Sequence, residues 1–142
     1  MRHAVAAAFL CLSAAGAIAG PSENAAVARR VFTDIYNKRD FAAAASIYAP
    51  DFVNHGLTRD VGLAEDQAAA KSWCGMFPDL HVDIVKEIAA DDLVTLMWVV
   101  QATRPGVKPE PLKMRGITIW RVKDGKLAEE WSEFDERRAL GN

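Results

Sequence analysis

The sequence predicts an α+β domain, helices first and a curved antiparallel sheet after them, on three observations. Apolar residues recur at helical spacing early in the chain, as Val27, Val31 and Ile35 with Ala28 and Phe32 beside them. From His81 onward the spacing changes to a period of two, in four runs rich in β-branched and aromatic residues. Short turns separate most of these runs, so successive strands are antiparallel neighbours and the helices must cover one face of their sheet. Such a sheet twists and curls. Closed by a helical lid, it leaves a cone whose hollow suits a small ligand.

The first helix is expected to begin near Glu23, capped by the Ser22 hydroxyl. The stretch "NKRD" at 37–40 breaks it, and Asp40 caps a second helix, "FAAAASIYA", that stops before Pro50. "DFVNHGLTRDVG" reads as a short extended piece followed by a loop, and a third helix runs from about Leu63 to Met76, ending at "FPD". The strands "HVDIVKEIAADD", "DDLVTLMWVVQATR", "KMRGITIWRV" and "KLAEEWSEFDE" follow. They are joined by an Asp91-Asp92 turn, by the proline-bearing loop "PGVKPEP" and by Asp124-Gly125, a strong two-residue hairpin signal.

A chain of 142 residues is the size of one domain. Its opening, "MRHAVAAAFLCLSAAGAIAG", has a positive start, an apolar run and the small-residue tripeptide Ala17-Ile18-Ala19, the layout of a secretory signal peptide cleaved after Ala19. The run is shorter than the roughly 20 apolar residues of a membrane span. The expected organisation is therefore a leader over 1–19 and a single domain over 20–142, exported to the periplasm or secreted, with no stable membrane insertion. Cleavage removes Cys11, so Cys74 has no intrachain partner and reads as a small buried hydrophobe. It also removes Arg2 and no acid, deepening a formal charge of -2 and giving nucleic acid no polycationic surface.

Function turns on the last strand. Leu127, Glu129, Trp131, Glu133 and Asp135 share one parity, and Ala128, Glu130, Ser132 and Phe134 share the other, unless a bulge swaps the sets partway. Trp131 serves as the guide: if its ring seeks the covered face, Asp135 follows it there. Desolvation then raises that carboxyl toward neutrality and makes it usable as an acid or base. The competing reading pairs Asp135 at the surface with Arg137 or Arg138.

The ordered set "NKRDFAAAASIYAPDFVNHG", "FPDLHVDIVKEIAADDLV" and "WRVKDGKLAEEWSEFD" resembles the SnoaL-like polyketide cyclase (ester cyclase) branch of the nuclear transport factor 2-like superfamily, over about residues 24 to 136. The resemblance implies a cone-shaped fold and a cofactor-free intramolecular aldol closure, with Asp135 as acid/base and His55 at the mouth of the cone as a donor or orienting group. Asn54 is a second choice beside His55, whose ring loop carbonyls would equally satisfy. Arg115, Gln101, Trp98, Trp131 and Tyr36 are candidates to line the hollow, Trp98 also reading as core. Where many members carry "GTHxG", this chain has "QATRPG", with Arg104 in place of the histidine, so any role of that histidine is not carried over.

Neither a GxSxG elbow nor a glycine-rich phosphate turn is present. His55 and His81 lack the clustered partners of a zinc site. Two functions stand: an exported cyclase, isomerase or lyase acting on a small apolar carbonyl compound without a cofactor, or a non-catalytic pocket or dimerising module of the same fold. Met97 and Val99 leave apolar side chains on the outer sheet face, which points to a homodimer.

Overall fold

The computed structural model describes residues 20–104 and 110–134. The leader over 1–19, Asp135, Arg137, Arg138 and most of the proline-bearing loop lie outside the described residues.

The first helix, α1 (Pro21–Arg30), starts with proline at its first helical position, where the missing N–H is harmless, and Gly20 rather than Ser22 occupies the N-cap. It runs on through a wider π-type segment, Val31–Asn37, so that Ala28, Val31, Phe32 and Ile35 all reach the core. Two side-chain amides fix this helix to the sheet. Asn24 Nδ2 donates to the Asp91 carbonyl, and Asn37 both donates to the Val82 carbonyl and accepts from the Val82 N–H. Asp40 does cap the next turn, its carboxylate accepting from Ala43 N–H at 3.2 Å. A short 3-10 piece, Phe41–Ala43, then leads into α2 (Ala44–Ile47).

That second helix is shorter than expected. The chain turns extended at Tyr48, before Pro50, and forms β1 (Tyr48–His55), followed by β2 (Asp60–Gly62). The third helix, α3, covers Leu63–Met76 as its sequence indicates. The four later strands are β3 (His81–Ala90), β4 (Leu93–Arg104), β5 (Glu110–Lys123) and β6 (Lys126–Phe134). Both tight turns use positive φ, at Asp91 and at the Asp124-Gly125 pair.

The sheet has six strands in the order β2-β1-β6-β5-β4-β3. It is mixed rather than wholly antiparallel, because β1 lies parallel to β6. This follows from the early end of α2, which frees eight residues to pair at the sheet's otherwise open edge. The helices pack on one face over Val94, Leu96, Trp98, Trp120 and Leu127, all buried. Gly116, opposite Phe134 in the β5–β6 pairing, leaves room for the Trp98 indole: a Cβ there would lie 2.2 Å from the ring.

Candidate functional site

The covered face does not close solid. A cavity of about 160 Å³ remains between the helices and the inner faces of β1, β4, β5 and β6. Among its lining residues Ala69 and Phe134 are exposed, which sets the opening between α3 and the end of β6. Most of the wall is apolar, with Phe32, Tyr36, Trp73, Trp98 and Trp120 supplying ring surface.

At the polar end stands Glu130, 9% exposed. Its position results from a shift in the β5–β6 register: Val122 pairs with Leu127 but Arg121 pairs with Glu129, leaving Ala128 as the extra residue. After that bulge the inward set is Glu130, Ser132 and Phe134, facing Trp120, Thr118 and Gly116 in turn. Glu130 Oε2 accepts from Trp120 Nε1 at 2.7 Å, and Oε1 accepts from Ser132 Oγ at 2.8 Å and from Asn54 Nδ2 at 3.3 Å. The Asn54 amide reaches it because β1 pairs Asn54 directly with Glu130.

The same Asn54 nitrogen donates to Asp66 Oδ1 at 2.9 Å, so one amide bridges two carboxyls. Asp66 comes from the first turn of α3 and also lines the cavity. Burial raises Glu130 from the usual carboxylate range to about 7, and the neighbouring Asp66 charge adds to the shift against the opposing bonds from Ser132 and Trp120. Asp66 is raised as well, by burial, with Asn54 and Gln67 opposing. The two titrate as a pair that holds its proton more tightly than an isolated carboxyl does.

The remaining donors have a fixed direction. Trp98 Nε1 donates to Thr118 Oγ1 at 3.0 Å, and Thr118 and Ser132 hydroxyls lie 2.9 Å apart. An indole only donates, so the Thr118 proton is free to point to Ser132, and the Ser132 proton points to Glu130. Of the four lone-pair sites of the Glu130 carboxylate, Trp120, Ser132 and Asn54 occupy three. The fourth, on Oε2, accepts no hydrogen bond from the described residues. Burial and the Glu130 charge hold the Tyr36 phenol far above its usual range, so it stays protonated.

Of the sequence candidates, Asn54, Tyr36 and Trp98 meet at this cavity. The others do not. Trp131 faces the opposite side of the sheet and stacks on His55, with ring centroids 4.9 Å apart and planes at 17°. His55 itself sits between Asp60 and Glu129, at 3.2 and 3.3 Å. Arg115 is exposed on the outer face beside Val99, and Gln101 is exposed and donates to Asp83. Trp131 is thus a misleading guide to parity, because its ring finds cover on His55 instead of in the cone. Asp135 lies outside the described residues. Glu130 and Asp66 are the two cavity acids that sequence reasoning passed over. Glu130 belongs to the parity that a bulge turns inward, and Asp66 has the pattern of an ordinary helix-start acid. No three His, Cys, Asp or Glu side chains converge as a metal would require among the described residues, and no described helix is long and apolar enough to cross a membrane.

Comparison with solved structures supports the same architecture. AclR of Streptomyces galilaeus, a candidate hydroxylase, superposes with a TM-score of 0.74 at 24% identity over 85% of this chain and 95% of that one. IdmH of Streptomyces antibioticus, a candidate polyketide cyclase, superposes with a TM-score of 0.73 at 21% identity over 83% and 96%. At these identities the likeness is one of fold. No curated protein matches the chain in sequence. The family model for the SnoaL-like polyketide cyclases matches residues 26–140, most of the chain, and the chain belongs to that family.

Proposed function

We propose that this protein performs acid/base chemistry of the cyclase or isomerase type on a small carbonyl compound, with Glu130 as the proton-transfer group. One observation carries the reading: a carboxylate buried in an aromatic cavity, held by three donors, with no cationic side chain among the described residues that line the cavity. Such a group sits near the pKa that proton abstraction at neutral pH requires. In the step, Glu130 Oε2 takes a proton from the carbon next to a carbonyl, and the C–H electron pair moves into an enolate. The Tyr36 hydroxyl donates to the enolate oxygen as its charge grows. The enolate carbon then attacks a second carbonyl, closing a ring and leaving an alkoxide that takes the proton from Glu130, or Glu130 returns the proton to another carbon of the delocalised anion, which isomerises the substrate. Asn54 donates one amide hydrogen to each of Asp66 and Glu130, and the nearby Asp66 charge raises the proton affinity of Glu130.

Export and pairing complete the proposal. The leader-like opening supports a periplasmic or secreted protein, and the apolar outer face of β4 and β5, with Ile117 40% and Ile119 37% exposed, supports a homodimer. The catalytic reading is tested by following α-deuterium uptake into cyclohexanone in D2O by NMR. Wild type is expected to accelerate uptake and Glu130→Gln, folded by circular dichroism, to lose that acceleration. An Asp135→Asn variant that loses it while Glu130→Gln keeps it would assign the role to Asp135 and overturn the Glu130 reading. Saturable binding without any acceleration would make the protein a non-catalytic pocket.

A further inference from the structure

The size and charge of the cavity restrict its ligand further. At about 160 Å³ it is close to the roughly 150 Å³ of a buried apolar cavity that accepts one benzene ring. Its walls are set by residues that cannot retreat cheaply. Trp98 is wedged over Gly116, Trp120 is held by Glu130, and Phe32 packs against both indoles at 5.8 and 5.7 Å. Enlarging the space for a second fused ring would require moving one of these buried aromatics out of a close-packed core.

The charge is equally one-sided. Among the described lining residues the two carboxylic acids are Glu130 and Asp66, and no lysine, arginine or histidine is present. Arg121 and His55, adjacent in sequence to the lining residues Trp120 and Asn54, are turned to the other face, where Glu129 engages both. A ligand carboxylate would therefore enter a low-dielectric space with two acids and no counter-charge.

From this combination we infer that the site takes an uncharged molecule of a single ring or comparable short chain, bearing one carbonyl for Tyr36, and rejects both fused polycyclic compounds and carboxylates. The inference rests on the catalytic reading only for the placement of the carbonyl. Cavity volume and charge act on binding alone.

The test is binding to the full chain, followed by quenching of tryptophan fluorescence, since Trp73, Trp98 and Trp120 line the space. The probes are cyclohexanone, the three-ring ketone anthrone, and a cyclohexanone carrying either a carboxamide or the nearly isosteric carboxylate. Saturable quenching by cyclohexanone is expected, with none by anthrone. At pH 8 the carboxylate should bind about 100-fold more weakly than the carboxamide, as expected for a charge facing like charges in a dry pocket. In Glu130→Gln that ratio should shrink at least severalfold, which a purely steric origin would not produce. Anthrone binding as tightly as cyclohexanone, equal affinity for the carboxylate and the carboxamide, or no saturable quenching by any probe would each overturn the inference. Selective binding with deuterium uptake equal in wild type and Glu130→Gln would leave it standing and remove the catalytic reading instead.

Discussion

Glu129 and Glu130 are adjacent in the chain and sit in opposite environments. Glu129 lies on the outer face, its side chain 36% exposed, between Arg121 at 3.3 Å and His55 at 3.3 Å, beside the stacked His55 and Trp131 rings. Glu130 lies on the inner face with neutral donors only and another acid across a shared amide. The outer glutamate is a solvated ion-pair member of small energetic consequence. The inner one is desolvated, so its proton affinity is set by what surrounds it rather than by bulk water. Reactivity therefore follows from which face a strand presents, not from residue type.

The most severe way to challenge this contrast is to neutralise each glutamate in turn. Glu130→Gln is expected to lower the rate of α-proton exchange by about 10²- to 10⁴-fold, the usual contribution of a positioned base. Glu129→Gln should leave it within about twofold, since Glu129 touches nothing in the cavity. NMR exchange rates for the two variants decide the matter, and comparable losses would erase the distinction.

Titration sharpens it next. A carboxyl whose folded pKa is raised from 4.5 to about 7 binds its proton more tightly in the native state. Its contribution to stability is complete below about 4.5 and is lost as pH rises through 7, amounting to about 3 kcal/mol at most. Denaturant melts from pH 4.5 to 8.5 should fall accordingly in wild type, and the fall should be largely absent in Glu130→Gln. Activity should move the opposite way, rising through neutrality as the base form appears. An unchanged stability slope in the variant would show that Glu130 is not the titrating group.

A smaller effect is expected from Gly116→Ala. The added methyl meets the Trp98 ring, so overpacking should cost about 1–3 kcal/mol and lower the melting temperature. It should also disturb the Trp98–Thr118–Ser132 chain that ends on Glu130, shifting the midpoint of the pH–rate profile. A lower melting temperature with an unmoved midpoint would confine Trp98 to a packing role. The smallest change belongs to the outer cluster: His55→Ala should cost less than about 1 kcal/mol and leave the exchange rate intact. A large loss of activity there would restore His55 to the site.

Much of the fold is legible along the chain. The helical stripe of Val27, Val31 and Ile35, the cap at Asp40, the bounds of α3 and the turns at Asp91 and Asp124-Gly125 all follow from local periodicity and turn chemistry. The early end of α2 is not legible. Pro50 turns Ala49 extended, but Tyr48 has no local reason to leave the helix, and does so because β6 offers a parallel partner far away in sequence.

The site divides along the same line. Amino-acid pattern alone determines an α+β domain with a carboxylate-bearing last strand behind a two-residue hairpin, and it brings Asn54, Tyr36 and Trp98 into consideration. Counted from that hairpin without interruption, Trp120 would oppose Glu129. One extra residue, Ala128, moves the pairing on to Glu130. A bulge of this kind is selected by the packing of both faces at once, Leu127 and Glu130 inward and Trp131 against His55 outward. No local propensity encodes that choice. The identity of the buried acid, and its partnership with Asp66, which reads as an ordinary helix-start acid, were settled when the strands and helices met.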